Sequence, residues 1–450
     1  MAGVAQRARH YLDHAATTDV RPEAAAVFAD ELGRTGNAAS SHAEGRAARA
    51  RLEEARERIA AALGADPAEV ALTSGGTEAD NLAIKGTWYA ERARRHGAAR
   101  EAVRETGRDE GDMPAVPLAV SAIEHAAVAE SAGWLAAHEG AELRVLPALP
   151  DGRVDLAALP AVLGGSPPAL LSVMLANNET GVLQPLTEVV AAARDAGVPV
   201  HTDAVQAIGV VPVHFHDLGV AALSISGHKV GAPVGCGALL VRRDLDLHPV
   251  EHGGGQERGV RSGTLAVAGA RALAAAIEAA VAEREAHAAH LARLRNRLRA
   301  GLAQRAADLP GLRCTVPDTG PVTGPDTGPV TGPGPVGTLP GHLHLLHPGA
   351  RAEAVLFALD SAGVAASSGS ACHAGVEQPS AVLLAMGYDG EVARSALRLT
   401  LGRTSTEADV DALLAALPGA LALARAAHPA ARAAHPASRA AHPAAPGATP

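Results

Sequence analysis

Between about residue 20 and residue 265 the chain alternates helical segments with short apolar strands, an order that few folds accommodate. Residues 46–65 have the spacing of an amphipathic helix, 69–74 are typical of a strand, and 77–95 predict the next helix. Further strands are expected in "AVPLAVSAIEH", "ELRVLP", "ALLSVMLANNE", "VPVHTDA" and "ALSISGHK", each with polar residues at its C-terminal end. This order predicts an α/β fold with a parallel sheet, whose ligands gather at the carboxyl ends of the strands.

The length of 450 residues suits a division into two domains. We expect residues 1–17 to join the smaller domain, 18–265 to form the large domain, and 266–424 to form the small one, which opens with a long helix. The Pro/Gly-rich stretch 317–337 contains a tandem DTGPVTGP unit, and the tail 425–450 repeats "RAAHPA". Their composition predicts a disordered loop and a disordered tail.

Charge and cysteine content limit the classes of function. The net charge of −9 and the pI near 6.2 argue against a nucleic-acid-binding surface. The N-terminus lacks the apolar core of a signal peptide, and no apolar run reaches the roughly 18 residues of a membrane span. Cys236, Cys314 and Cys372 have no metal-ligand spacing, which indicates free thiols in a reducing compartment. We therefore expect a soluble cytoplasmic protein without direct nucleic-acid or membrane partners.

Residues at several predicted strand ends together suit one cofactor. Lys229 and Asp203 each follow an apolar strand. In "TSGGTEADN" a strand leads into a helix, so the amides of Gly76 and Thr77 would present the positive end of the helix dipole to an anion. Pyridoxal phosphate requires a Schiff-base lysine, a carboxylate that keeps its ring nitrogen protonated, and a phosphate cradle. His125, at another strand end, could stack on the ring or simply cap a helix.

A series of motifs carries a family resemblance. In chain order they are "YLDHAATT", "SGGTEADNLAIKG", "EHAAV", "ANNETG", "HTDAVQ", "SGHK", "HGGGQERGVRSGT", "SSGSAC" and "LRLTLGR". They resemble those of cysteine desulfurases of the NifS/IscS type, in the class V aminotransferase group of fold-type I enzymes. The resemblance covers about residues 10–420, without the charged segment 96–114, which is expected to be a surface loop, and without the proline-rich loop. It implies a large domain with a mostly parallel, seven-stranded-type sheet and a smaller α+β C-terminal domain.

The resemblance implies pyridoxal 5′-phosphate as the cofactor. Lys229 would form the Schiff base and later move the substrate's Cα proton, Asp203 would pair with the ring nitrogen, and His125 would stack on the ring. Thr264 would reach the phosphate across the interface of a homodimer, so that only the dimer has a complete site. The expected cofactor contacts are Gly76, Thr77, His125, Asp203, Gln206, Ser226, His228, Lys229 and Thr264.

L-cysteine is the substrate that the resemblance implies. Arg398 would bind its carboxylate, since a guanidinium suits a bidentate contact, and Asn178 would assist. Cys372 lies on the Ser/Gly-rich loop 367–380, which could swing between cofactor and surface. Cys372 would take the sulfur as a persulfide while alanine leaves. The attack needs a thiolate, and His373 or the cofactor region could lower the pKa of this thiol.

Rival functions remain open at this point. A selenocysteine lyase or another pyridoxal-phosphate-dependent C–S lyase usually has a shorter cysteine loop, so the long loop here favours a desulfurase that delivers sulfur to a partner. An aminotransferase would not require Cys372. A catalytically idle scaffold that binds sulfur-transfer proteins is disfavoured because every cofactor-contacting residue is present.

The sequence does not name the sulfur acceptor. A protein acceptor such as an iron–sulfur scaffold is the first expectation, while a tRNA thiolase and DNA phosphorothioation remain open. With a scaffold partner, Cys372 could briefly ligate a nascent iron–sulfur cluster. Cys236 is expected within an apolar strand of the core, and Cys314 has no assigned role.

Overall fold

A computed structural model describes residues 9–106, 115–316, 336–369 and 378–427. The strands are β1 (His10–Tyr11), β2 (Val70–Thr73), β3 (Pro117–Ser121), β4 (Glu142–Leu146), β5 (Leu171–Ser172), β6 (Val200–Asp203), β7 (Ala222–Ser226), β8 (Gly237–Val241), β9 (Arg313–Cys314), β10 (His342–Leu346), β11 (Val364–Ala365) and β12 (Ala396–Thr400). The helices are α1 (Pro22–Leu32), α2 (Ala43–Leu63), α3 (Gly76–Asn81), α4 (Thr87–Thr106), α5 (Ala126–Glu139), α6 (Leu159–Leu163), α7 (Leu186–Asp195), α8 (Phe215–Leu218), α9 (Gly227–Val230), α10 (Val267–Gln304), α11 (Ala352–Ser361), α12 (Ala381–Ala385), α13 (Gly390–Ala393) and α14 (Glu407–Ala427).

A seven-stranded sheet in the order β2-β8-β7-β6-β5-β3-β4 forms the centre of the molecule. The strands from β7 to β4 run parallel, whereas β8 is antiparallel to both of its neighbours. Consequently β2 points the same way as β7, and the carboxyl ends of β2, β7, β6, β5 and β3 lie along one edge. The predicted α/β class with a mostly parallel seven-stranded sheet is confirmed.

Helical structure after β2 extends further than the sequence analysis predicts. α3 continues through a π-helical turn, Leu82–Gly86, into α4. The prediction of a surface loop from residue 96 is wrong for residues 96–106, which belong to α4. This stretch is rich in Ala, Arg and Glu, which favour helix as well as solvent, so its charge does not indicate a loop. Residues 107–114 of the predicted loop lie outside the described residues.

A second hydrophobic core lies at the C-terminal part of the chain. The antiparallel sheet β12-β10-β9 contributes Leu343, Leu345 and Leu397 to it, and α14 contributes Leu413 and Leu417. The N-terminal segment joins this region, because β1 pairs in parallel with β11. The smaller α+β unit expected from the sequence is therefore present.

The long helix α10 connects the two cores. Leu273 and Ile277 are buried in the core of the large sheet, whereas Leu291 and Leu298 are buried in the second core. The predicted domain boundary at residue 265 lies just before this helix and stays a prediction. Most of the proline-rich loop 317–337 and of the tail lies outside the described residues, although α14 continues to Ala427.

Among the described helices, α14 is long and apolar enough to cross a membrane by length and composition. Its apolar side chains have another explanation in the fold. Leu413, Leu417 and Leu421 are fully buried in the second core, and the helix packs along α11. The sequence of α14 therefore agrees with that of a core helix of a folded domain.

Candidate active site

A cavity of about 550 Å³ opens at the carboxyl edge of the large sheet. Residues that follow separate strands line it together with residues from the N-terminal segment and from β12. The predicted site residues in its wall are Gly76, Thr77, His125, Asn178, Asp203, Gln206, Ser226, His228, Lys229 and Arg398. These residues come from distant parts of the sequence. They meet here because the strand order places the ends of their strands next to one another. This is the position at which α/β sheets bind ligands.

One wall of the cavity is a close-packed helix start. α3 begins at Gly76, directly after β2. A Cβ atom at Gly76 would lie 3.0 Å from Val205 Cγ2 and 3.3 Å from Ser226 Cβ, so a larger residue would push these neighbours away. Glycine thus lets the helix start approach the end of β7, where Ser226 supplies a hydroxyl group. Amide groups and a hydroxyl at one helix start form a cradle for a phosphate.

Lys229 lies one turn beyond β7, on the short helix α9. Its Nζ donates hydrogen bonds to the carbonyl oxygens of Ala15 (2.5 Å) and Ala16 (2.8 Å). Burial, assisted by the positive charge of Arg398, lowers the pKa of the Lys229 amine to about 8. At pH 7 roughly a tenth of this lysine is therefore uncharged, far more than for an ordinary lysine, and a Schiff base forms from the uncharged amine.

Asp203 is the last residue of β6 and is only 5% exposed. Its Oδ1 accepts a hydrogen bond from the Val205 amide (2.8 Å), and burial raises its pKa. The side chain of Gln206, in the turn that follows, donates to the carbonyl oxygen of Ala15 (3.0 Å). A buried carboxylate with few partners is suited to a cationic ligand atom.

His125 and His228 complete this side of the cavity. His125 is the N-cap of α5, where its Nδ1 accepts a hydrogen bond from the Ala127 amide (3.2 Å). It therefore caps a helix while it lines the cavity, and its stacking on the cofactor ring stays a prediction. His228 Nδ1 lies 3.1 Å from Thr17 Oγ1, and burial lowers its pKa to about 4. His228 is thus neutral at physiological pH.

Arg398 reaches the cavity from β12 of the smaller sheet. Its guanidinium donates to Asp13 Oδ1 (2.7 Å) and to the carbonyl oxygen of Asn178 (3.0 Å), and the residue is 5% exposed. Its buried Nε has no hydrogen-bond partner among the described residues. The guanidinium group is planar and always charged, so a carboxylate is the ligand group that best matches it.

The remaining predicted residues lie elsewhere. Thr264 is exposed and is not among the residues that line this cavity. Cys372 lies outside the described residues, but Ser367 and Gly369, which precede it, line the cavity. Cys236 is buried as expected, yet it precedes β8 rather than lying within the strand, because the chain turns at Gly235 before pairing begins.

Some cavity residues were not predicted from the sequence. Asp80, on α3, lines the cavity, and Asp13 lies behind it as the partner of Arg398; both belong to motifs quoted above. For Asp80 a signal existed, since it lies four positions after Gly76 on the same helix and so shares a face with it. No local pattern places Asp13, because its position depends on the N-terminal segment crossing to β12.

The lysine, the buried carboxylate and the glycine cradle fit pyridoxal phosphate. At the carboxyl edge of a mostly parallel seven-stranded sheet they define the class of pyridoxal-phosphate-dependent enzymes of fold type I. The chain belongs to the class V aminotransferase family: the model of that family, described as Aminotransferase class-V, matches residues 10–99 and 114–323. The resemblance found in the sequence is confirmed.

The chain is similar to proteins named as cysteine desulfurases. It is 45% identical over 418 residues to an IscS-like cysteine desulfurase of Mycobacterium tuberculosis, covering 93% of this chain and 97% of that protein. It is 36% identical to the cysteine desulfurase IscS of Methanosarcina thermophila, with 91% of each chain covered. The structure of a NifS-like protein from Rickettsia africae matches with a TM-score of 0.75 and 27% identity, over 92% of this chain and 99% of that one.

Proposed function

We infer that the chain is a cysteine desulfurase, which converts L-cysteine to L-alanine and transfers the sulfur to an enzyme thiol. The observation that carries this inference is the arrangement of Lys229, Asp203 and Arg398 around one cavity whose rim continues into the cysteine-bearing loop. The named relatives support the same activity over almost the whole chain.

The cofactor of this reaction would be pyridoxal 5′-phosphate. Gly76, Thr77, Ser226 and His228 would hold its phosphate, while Asp203 would pair with the ring nitrogen. His125 would lie against the ring and Gln206 would contact the ring hydroxyl. When bound, the cofactor supplies an electron sink for the negative charge that develops at the substrate's Cα.

The protein's own groups position the substrate and move its protons. Arg398 would bind the carboxylate of L-cysteine with its guanidinium group, with Asn178 beside it. Lys229 would take the Cα proton, which its lowered pKa allows, since an amine with a pKa of about 8 is partly neutral at physiological pH.

Cys372 would accept the sulfur. In this step the C–S bond of the substrate breaks, an S–S bond forms with the Cys372 thiolate, and the released Cβ takes up a proton, so that L-cysteine and a thiol give L-alanine and a persulfide. Cys372 is three residues from Gly369 at the cavity rim, and three residues span at most roughly 11 Å. A connection this short would let the thiol reach the substrate sulfur.

Cys236 is a weaker candidate for the acceptor, although it also lines the cavity. Burial raises the pKa of its thiol to about 11, and the thiol donates to the carbonyl oxygen of Pro233 (2.9 Å). At neutral pH this residue is therefore almost entirely a thiol, which is a poor nucleophile.

The test is the release of alanine and sulfide from L-cysteine with a reductant. We expect the wild type to form both in equal amounts, and Cys372→Ala to form neither while it keeps bound cofactor and its yellow colour. Cys314→Ser, which alters a cysteine outside the cavity, is the matched control and should retain the wild-type rate. If Cys372→Ala keeps full activity, sulfur leaves directly, and a selenocysteine lyase or another C–S lyase is the better assignment.

The partners of the reaction are part of this proposal. The enzyme would act as a homodimer in the cytoplasm, without direct contact with nucleic acid or membrane. It would pass the persulfide sulfur to a protein acceptor such as an iron–sulfur scaffold or a tRNA thiolase. With a scaffold, Cys372 would serve as a transient ligand of the nascent cluster. Persulfide transfer to purified candidate acceptors, followed by mass spectrometry, distinguishes these partners.

A further inference from the structure

Acidic side chains are unusually concentrated beneath the cavity. Asp80, Glu124 and Asp203 are 1%, 8% and 5% exposed. The side-chain ligand atoms of Asp80, Asp203 and His125 all lie within 4.8 Å of one another. Like charges this close cannot both be held in a buried site, so the pair Asp80–Asp203 must retain a proton.

The surroundings of Asp80 give a negative charge little support beyond the Ser224 hydroxyl. Its buried Oδ1 has no hydrogen-bond partner among the described residues, and its nearest basic group is His201 Nε2 at 3.7 Å. His201 is itself hydrogen-bonded to the hydroxyl groups of Ser172 and Ser224, both at 2.9 Å. Complete burial lowers the pKa of His201 to about 3, so this imidazole is neutral and provides no counter-charge.

The surroundings of Asp203 favour the anion more strongly. The Val205 amide donates a hydrogen bond to it at 2.8 Å, and the positive charge of Lys229 acts on it from the cavity side. The groups that face Asp80 are the acidic Asp203 and Glu124, the neutral His201, the Ser224 hydroxyl and His125, which has a ring nitrogen within 4.8 Å of both carboxyl groups. Within the pair, Asp203 is therefore the carboxyl that ionises more easily, and Asp80 is the one that keeps its proton more easily.

We propose that Asp80 carries the proton of a buried carboxyl pair and thereby leaves Asp203 as the anion that faces the ring nitrogen of the cofactor. Asp80 is then a positioning residue that acts through Asp203. The part of this inference that concerns the ring nitrogen of the cofactor rests on the proposed function. Burial and the charge of Asp203 also raise the pKa of Asp80 well above its usual range, and the two residues titrate as a unit.

Infrared spectroscopy of the full-length holoenzyme tests where the proton lies. A protonated carboxylic acid has a carbonyl-stretch band that a carboxylate lacks. We expect the difference spectrum of wild type minus Asp80→Asn to contain this band at pH 8. Glu124→Gln is the control: the pKa of Glu124 is about 7, because burial raises it, so it is largely ionised at pH 8 and its removal should leave the band in place.

A second readout follows the bound cofactor. Asparagine has the shape and charge of a protonated aspartate, so Asp80→Asn should change the dissociation constant of pyridoxal phosphate at pH 8 by less than about threefold. If Asp80 were ionised, the substitution would remove a charge near the ring and change that constant by about tenfold or more. A missing infrared band, or a bound divalent metal ion in the purified protein, would also overturn the proposal.

The two readouts separate this inference from the proposed function. A protein that never binds pyridoxal phosphate would contradict the proposed function and the role of Asp80 toward the ring nitrogen. The infrared band would still report the proton on Asp80 in that protein, because the carboxyl pair is formed by the chain alone. A desulfurase with an ionised Asp80 would instead bind pyridoxal phosphate and lack the infrared band.

Discussion

At the scale of single residues, the proposed role of Lys229 makes its charge state decisive for cofactor uptake. Only a neutral amine can form a covalent bond with an aldehyde. Burial is the largest cause of the low pKa of Lys229, and Arg398 lowers it further, while Asp203 and Asp13 raise it. The pH dependence of cofactor uptake therefore measures the pKa of Lys229, which depends on the charges around its Nζ atom.

We predict that the rate of cofactor uptake by the unloaded enzyme rises as the pH passes through about 8, the pKa of Lys229. Arg398→Gln removes a positive charge, raises the pKa of Lys229 and should shift this profile to higher pH. Asp13→Asn removes a negative charge and should shift it to lower pH. The visible absorbance of the bound cofactor, recorded after rapid mixing from pH 6.5 to 9.5, measures these profiles.

The control for these variants is Arg403→Gln. Arg403 lies five positions after Arg398 but is not among the charges that act on Lys229. Its profile should coincide with that of the wild type. Identical profiles for Arg398→Gln and the wild type would contradict the assignment of the Lys229 pKa to its charged neighbours.

At the scale of helices and strands, the packing of glycine residues gives predictions of opposite sign. Gly301 on α10 faces Leu414 on α14, where a Cβ atom would overlap the leucine methyl groups. Gly133 lies inside α5, and a Cβ atom there would have no neighbour within 4 Å. Alanine at position 301 should therefore weaken the contact between α10 and α14, whereas alanine at position 133 should stabilise α5.

We predict that Gly301→Ala lowers the free energy of unfolding by about 1–3 kcal/mol, as overpacking does. Gly133→Ala should raise it by up to about 1 kcal/mol, because alanine favours helix over glycine. Urea unfolding of the holoenzyme, followed by circular dichroism, measures both changes against the wild type. A stabilising Gly301→Ala would show that α10 and α14 are further apart than the structure places them.

The sequence predicted elements better than it predicted their contacts. Apolar strands with polar ends were recognisable for β2, β3, β6 and β7, and their carboxyl ends had to share an edge once the sheet was parallel. This is why Lys229 and Asp203 could be assigned to one site. The partner of Arg398 could not be found in this way, because Asp13 and β12 meet only through the fold of the N-terminal segment.

At the scale of the whole molecule, the loop that carries Thr264 is firmly anchored, yet Thr264 does not line the cavity of its own chain. Arg56 forms paired 2.8 Å hydrogen bonds with the buried Glu257, and the Leu72 amide donates to the same carboxylate at 2.8 Å. Glu257 and Arg258 both have positive φ, 45° and 58°, a conformation that this anchoring sustains. Thr264, further along the loop, is exposed.

A rigid loop that presents an exposed threonine suits contact with a second subunit, and subunit mixing tests this. We predict that Thr264→Ala weakens cofactor binding and that Lys229→Ala abolishes activity. If Thr264 serves the partner's site, a mixed dimer of the two variants contains one site with both wild-type residues, and it should show about half of the wild-type activity at low cofactor concentration. If Thr264 serves its own site, no intact site forms in the mixed dimer, and its activity cannot exceed that of Thr264→Ala alone.

Differently tagged subunits, purified in sequence on two affinity columns, provide the mixed dimer. A protein that elutes as a monomer would exclude the shared site altogether.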